Sequence, residues 1–552
     1  MFLMKKIYII LLIFVTAYCG YAQSSVHIGP RANTYNDPAN GIYVSPTGND
    51  AMADGSKDRP YKSINTALGK AQPGSTIILR NGVYREGRRV RIQKSNITLK
   101  SAQGEWAVID LTTYDTGNRE HSAVEFYAED EVTRTQLSGG KLQCVEVIGG
   151  YYAVAMETKW NWGGNDDWKA ASDIIIEDCK LHDSRNDVVK VKPNCKNITI
   201  RYNEIYNSGR EFSGNDCTPD GRGNAEGIDN VNGNNMKVQN NYIHDICTTG
   251  IYAKGGATDV LIENNRIENT NVAGILVGFE TNLEYFDTKV NPMYYENLGG
   301  VVRNNLIINT VVSGIGLYAA KDAEVYNNTL VNVNTHGTYH SAIYFGVATQ
   351  DGEPYTGSPP NIHPNIHHNI VSQPNSFRRP MVEIRYSIER GIYHLSALDG
   401  KPTMNNNCYY IAGKSATFTD NRPNGIKDAG LAAWKTHIGG ENGTLEVDPA
   451  LDSNYMPKNA QCAGMGIQFI LDRTTGIELP AVFTESFATL SEGILTVQSQ
   501  TAEIIQVYSL IGAVLCNVSK PAGKASFNLN VSKGTIIIIR GSSGWSKKLA
   551  VL

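Results

Sequence analysis

Residues 240–267 read NNYIHDICTTGIYAKGGATDVLIENNRI, and this stretch decides the fold. It begins and ends on an asparagine leading into a short apolar strand, Asn241 in NNYI and Asn265 in NNRI. The two are 24 residues apart. Working outward, the same phrase returns at Asn203 in RYNEI, Asn305 in NNLI, Asn328 in NNTL and Asn369 in HNIV, and Cys179 in EDCKL holds the place one step earlier. From Cys179 to Asn369 the steps are 24, 38, 24, 40, 23 and 41 residues. A step near 24 is one turn of a solenoid with three short strands, and the longer steps are the same turn carrying an insertion. The fold class expected is all-β, a right-handed parallel β-helix with three strands per coil. The asparagines are expected to be scaffold, their amides bonding the backbone at each corner.

Composition agrees. Short runs rich in Val, Ile, Thr and Tyr alternate with Asn and with 53 glycines, the residues that tolerate tight turns. One helical pattern stands out at 63–71, between Pro60 and Pro73-Gly74, and suits a cap over the first coil. Residues 1–22 carry Lys5 and Lys6, an apolar run at 7–15 and a cleavage-like CGYAQ, the pattern of a secretory signal peptide. The expected location is secreted, periplasmic or at the cell surface, and no later stretch is long enough to span a bilayer. The domain reading is 1–22 signal peptide, 41–478 β-helix and 484–552 a small C-terminal β-sandwich of short strands such as GILTVQSQ and GTIIIIRG. That last module, with its terminal KKLAVL, resembles the sorting domains of secreted Bacteroidetes proteins, which implies a Gram-negative source.

The formal charge is −4, and no basic face or aromatic RNA motif appears, so nucleic acid is not an expected partner. The chain is expected to act as a monomer. Nine cysteines are scattered without metal-ligand spacing; Cys179 and Cys195 read as small core residues, and disulfides are possible but not implied. Among the histidines, His363, His367 and His368 in NIHPNIHHN read as a solvated turn rather than a metal site.

After each asparagine strand comes a second strand: NDVVKVKP, AEGIDNVN, TTGIYAKG, VAGILVGF, VSGIGLYA and HSAIYFGV. Aligned, they place Val189, Ile228, Ile251, Ile275, Ile315 and Ile343 in one inward column. Val188, Lys190, Lys192, Asp229, Tyr252 and Lys254 then point outward, with Asp187 and Glu226 at the preceding turn. Lys190, Asp229 and Tyr252 share one outward row. The insertions 208–224 and 279–299 enter at opposite ends of this sheet and are placed to wall a groove over it.

Hard cations such as Ca²⁺ take carboxylate oxygens from a rigid frame, which Asp187, Glu226 and Asp229 supply, with Asp216 or Asp220 as a further donor. A lysine beside such a cation has its pKa driven down and becomes a competent base. These parts suit β-elimination of a uronate-containing, acidic polysaccharide. Lys190, Lys192, Arg222, Tyr252 and Trp160 are the candidate substrate-binding residues, Trp160 through stacking on sugar rings.

The order Asp187, then AEGID from Ala225 to Asp229, then Lys254 in GIYAKGG resembles polysaccharide lyase family nine, whose members are pectate and rhamnogalacturonan lyases. The resemblance implies calcium held by Asp187, Glu226 and Asp229 and proton abstraction by Lys254. Ala225 stands where that family's DDGxD cluster has an acid, and Glu226 where it has Asp. Other β-helix lyases pair Lys with Arg, a role open to Arg222 or Arg210. Two further readings stay open: a glycoside hydrolase working with paired carboxylates, and a carbohydrate-binding solenoid with no catalysis.

Overall fold

The computed structural model describes residues 25–113, 121–159, 169–212, 215–218, 223–337, 340–348, 358–374, 379–389 and 393–472. In the C-terminal region it describes 487–491, 494–499, 503–509, 514–520, 523–529, 536–541 and 546–550. The signal peptide read at 1–22 lies outside these residues. Among them, no helix is long and apolar enough to cross a membrane.

The body of the chain is a right-handed parallel β-helix with three long sheets of 12, 12 and 11 strands. Each coil gives one strand to each sheet in turn. One runs Thr199–Arg201, Glu204–Tyr206 and Ile228–Val231; the next runs Lys237–Gln239, Tyr242–Ile246 and Ile251–Lys254. The inward column forms with the register its spacing predicts. Val189 pairs with Ile228, Ile228 with Ile251, Ile251 with Ile275, Ile275 with Ile315, and Ile315 with Ile343, all fully buried. Each such side chain contributes about 1.5–3 kcal/mol as its apolar surface leaves water.

The repeated asparagine sits at the corner between the first and second strands of the coil. Its Oδ1 accepts the backbone N–H of the ladder residue one coil back, and its Nδ2 donates to a carbonyl of the coil beneath. The chain of amides runs Asn203, Asn241, Asn265, Asn305, Asn328, Asn369 and then Asn407, whose N–H is received by Thr444 Oγ1. At the other end Cys179 donates its N–H to Asn203 Oδ1, so it occupies the ladder without an amide. A backbone group at a buried corner must find a partner, and the amide answers on both sides.

Both ends are sealed by helices. Ile64–Lys70 buries Ile64, Ala67 and Leu68 over the first coil; Ser63 caps it, and the Glu86 carboxylate accepts the N–H groups of Ile64 and Asn65. Leu431–Ile438 closes the far end, with Trp434 fully buried and stacked on Phe418 at 5.5 Å. Strand pairing along the helix continues to Leu445–Glu446.

The following segment runs back along the outside, packing Met456, Ile467, Phe469 and Leu471 on Leu306 and Ile308. Ser25–His27 pairs with Ile470–Asp472, and Arg31 forms an ion pair with buried Asp178 at 2.8 Å. Residues 25–40 therefore belong to the helix body, which the boundary at 41 left out. Their pairing is with distant coils, and periodicity carries no signal of it. The C-terminal region holds two antiparallel sheets of three and four strands around Leu495, Val497, Ile505, Val507, Leu529, Ile537 and Ile539.

Candidate functional site

The site lies on the 11-stranded sheet. Lys190 pairs in register with Asp229, and Asp229 with Tyr252, while Val231 pairs with Lys254 one row over. The Asp187 side chain turns back at the start of its strand and accepts the Glu226 N–H on Oδ1 at 3.0 Å. Asp187, Glu226 and Asp229 thus converge from adjacent coils, with one carboxylate oxygen of each inside a 4.8 Å span. All three are buried, at 0–1% exposure.

The insertion 279–299 covers the patch, and of the insertion 208–224 the described residue Asn224 lines the groove. In that insertion Cys217 forms a disulfide with Cys247, just past the strand Tyr242–Ile246. Residues 279–299 begin with Phe279, which stacks on Tyr252 at 5.2 Å, and Tyr285 accepts an amide hydrogen bond from Asn232 at 2.6 Å. The groove left open measures about 780 Å³, and Asn224, Thr281 and Tyr285 contribute to its lining. Six cations face it (Arg89, Arg91, Lys159, Lys190, Lys192 and Lys254) against the acids Glu125, Glu157, Asp229 and Glu280.

Each acid has a distinct environment. Asp187 Oδ2 accepts from Lys190 Nζ at 3.1 Å, and the same ammonium bonds Asp229 Oδ2. Lys254 Nζ stands 3.9 Å from Asp229 Oδ1. Burial, together with Asp187 and Asp229 alongside, pushes the Glu226 carboxyl well above the usual range. Asp229 is also opposed by burial, yet Lys190 and Lys254 hold it below the ordinary value. Burial acts to lower Lys190, but Asp187 and Asp229 outweigh it and raise its pKa well above the lysine norm. Two buried oxygens, Glu226 Oε2 and Asp229 Oδ1, accept no hydrogen bond. An all-carboxylate donor set with unsatisfied buried oxygens fits a hard cation such as calcium.

Lys254 crosses the aromatic wall, 4.5 Å from the Tyr252 ring centre and 5.8 Å from that of Phe279. Behind it sits Glu296, which the sequence reading missed because it lies inside an insertion. Its Oε2 accepts from Gly255 N at 2.8 Å and Thr281 Oγ1 at 2.6 Å, linking the wall to the residue after Lys254. Burial raises its pKa to about 7. Thr248, also missed, donates to Glu226 Oε1 at 2.9 Å and accepts the Ala225 N–H.

Several expectations change. Val188, read as outward, is fully buried in the main core, because it precedes the strand Val189–Val191 and is outside its alternation. Tyr252 does point outward but is only 4% exposed under Phe279, so it offers no open ring for a sugar. Arg210 lines a separate cavity with Asp183 and Cys247 rather than the groove. Lys192 lines the groove, paired to Glu157 at 2.8 Å. Trp160, Arg222 and Asp220 lie outside the described residues. Cys179 and Cys195 are buried core thiols, as read.

A family model described as right handed beta helix region matches residues 131–291. A 74-residue stretch is 42% identical to pectate lyase PEL9 of Emericella nidulans; it is 12% of this chain and spans 18% of that relative's length. Among solved structures, pectate lyase Pel9A aligns at 16% identity and TM-score 0.41 over 64% of this chain and 80% of that one. The lacto-N-biosidase of Eubacterium ramulus aligns at 14% identity and TM-score 0.42, covering 74% and 68%. The mannuronan C-5 epimerase AlgE6 A-module of Azotobacter vinelandii aligns at 12% and 0.42, covering 70% and 94%. A fold does not choose a reaction, so function is argued from the site.

Proposed function

We propose that this protein is a secreted polysaccharide lyase that cleaves a uronate-containing glycan by β-elimination. The observation that carries the reading is the meeting of three buried carboxylates with Lys254 at the floor of a groove that Arg89, Arg91, Lys159, Lys190 and Lys192 also line. Cationic side chains along a groove can pair with the carboxylates of a polyanion. The short stretch shared with a pectate lyase supports the same class.

Asp187, Glu226 and Asp229 would hold calcium, which when bound neutralises the sugar carboxylate and acidifies the proton at C5. Lys254, in its base form, takes that proton onto Nζ. The electron pair left at C5 forms the C4–C5 double bond, the C4–O bond breaks, and the departing glycan oxygen takes a proton from water. Asp229 orients the Lys254 head from one side, and the Tyr252 and Phe279 rings restrict it from the other. Lys190, Lys192 and Arg91 contact the carboxylates of the bound polymer.

The test is incubation with a panel of pectin, rhamnogalacturonan, alginate, ulvan and glycosaminoglycans, following ultraviolet absorbance of the unsaturated product with and without a chelator. Absorbance that appears on one polymer and vanishes in Lys254→Ala is the expected result. Silence on every uronate polymer refutes the lyase reading. One observation favours a second reading. Glu226 is pushed toward the protonated form and its neighbour Asp229 toward the ionised one, the division of labour of a hydrolytic acid and base. A hydrolase releases reducing ends without the absorbance.

A further inference from the structure

Lys190 holds the ground that a divalent cation needs. Its ammonium bonds Asp187 Oδ2 and Asp229 Oδ2, two of the three carboxylates that form the oxygen pocket. The third carboxylate keeps a free oxygen, Glu226 Oε2, and Asp229 keeps Oδ1, both buried and accepting no hydrogen bond. Lys190 therefore satisfies the pocket only in part. An ammonium and a divalent ion cannot share these oxygens, because their repulsion in a buried site is of the order of the attraction each gains. The Lys190 side chain also has somewhere to go. It lines the groove, is 13% exposed, and its Nζ lies 5.5 Å from the centre of the Tyr152 ring, which borders the same groove.

We propose that Lys190 is an internal counter-ion that competes with calcium for Asp187 and Asp229, so that cation entry swings its ammonium into the groove beside Tyr152 as a ligand for the substrate carboxylate. The inference rests on the calcium part of the proposed function. It also gives Ala225 a physical sense: with no acid at that corner, one lysine can balance the pocket when the ion is absent. The closed state lowers the apparent affinity for the ion by the fraction of molecules in which Lys190 has moved away.

Calorimetric titration with calcium chloride alone, on the full chain, tests this with wild type, Lys190→Met and Lys190→Arg. Lys190→Met removes the competitor at similar length and should bind calcium at least about tenfold more tightly. Lys190→Arg keeps the charge and should stay within about threefold of wild type. Equal affinity in wild type and Lys190→Met overturns the proposal, as does a rise in Lys190→Arg matching that in Lys190→Met. Where Lys190→Met is too unstable without the ion, the rise of its melting temperature with calcium gives the same ratio through linkage. Tight binding by Lys190→Met with none by wild type upholds the competition and sinks calcium in the native site. Absence of binding in both overturns both.

Discussion

Replacing Asn265 by alanine tests whether the buried amides hold the coils in register. Asn265 Oδ1 accepts Asn241 N and Asn241 Nδ2, each at 3.0 Å. Its Nδ2 donates to Val238 O at 2.9 Å, Glu263 O at 3.0 Å and Asn305 Oδ1 at 3.0 Å. Asn265→Ala leaves its own N–H bonded to Asn305 but strands the N–H of Asn241 in a fully buried corner. A stranded buried donor costs about 1–3 kcal/mol, and the lost packing adds about 1 kcal/mol, giving about 2–4 kcal/mol in all. Unfolding entropy near 2.1 cal/mol/K per residue over the roughly 450 residues of the helix body converts this to a drop of about 2–4 °C in Tm. Differential scanning calorimetry measures it, with the unfolding rate in guanidinium as a check should the melt be irreversible. The control is Asn309, whose solvent-exposed amide donates to Asn269 at 3.3 Å and accepts from Asn332 at 2.7 Å, and whose φ of 55° suits glycine. Asn309→Gly removes that surface amide without backbone strain and should cost a few tenths of a kcal/mol. A drop in Asn265→Ala no larger than that in Asn309→Gly refutes a stabilising role for the buried ladder.

Three further outcomes follow from named contacts. Lys254→Gln should lower kcat by about 10²–10⁴-fold with KM little changed, since a general base acts on the chemical step; a loss confined to KM would assign Lys254 to binding. The raised carboxyl of Glu296 stabilises the fold below its unfolded value and loses that contribution as pH climbs to about 7. Wild type should therefore lose about 3 kcal/mol relative to Glu296→Gln between pH 4.5 and 7, and parallel stability curves for the two proteins would contradict the assignment. Removing the Cys217–Cys247 bond by a double alanine substitution should free the segment around Cys217 and speed protease cleavage there by at least about tenfold; unchanged cleavage means the segment is held by other contacts.

The legible part of this structure was what repeats. Steps of 24 residues put Val189, Ile228 and Ile251 in one column and Lys190 opposite Asp229, because period-two alternation and a constant coil length fix register without any knowledge of packing. Asn407 escaped although its motif, NNNCYYI, is in plain view. It lies 38 residues from Asn369 and leads into Cys-Tyr rather than an aliphatic pair. What insertions and termini do was not legible, since they fold back on coils distant in sequence. Glu296 reaching Gly255, Phe279 roofing Tyr252 and Arg31 pairing with Asp178 are all of that kind. An outward position in register is thus not an exposed one. The sequence placed Tyr252 in the correct row, and a residue 27 positions later covered it.

The rigidity of the scaffold explains why so much charge is tolerated in so small a volume. Asp187, Glu226 and Asp229 are fixed at strand ends of adjacent coils, whose spacing is set by backbone pairing on all three sheets, so the carboxylates cannot relax apart. Their burial strengthens their mutual repulsion. The molecule answers within these coils and the next: Lys190 bridges Asp187 and Asp229, Lys254 stands beside Asp229, and Glu226 is driven toward its neutral form. Each answer can be reversed by a ligand, because the Glu226 and Asp229 oxygens that remain free are the ones a cation or a sugar hydroxyl would meet. A site meant only to be stable would have filled those positions with apolar side chains, which cost less to bury. Retaining them on a frame this stiff keeps donors and acceptors preorganised, and that is what the proposed proton abstraction at carbon requires.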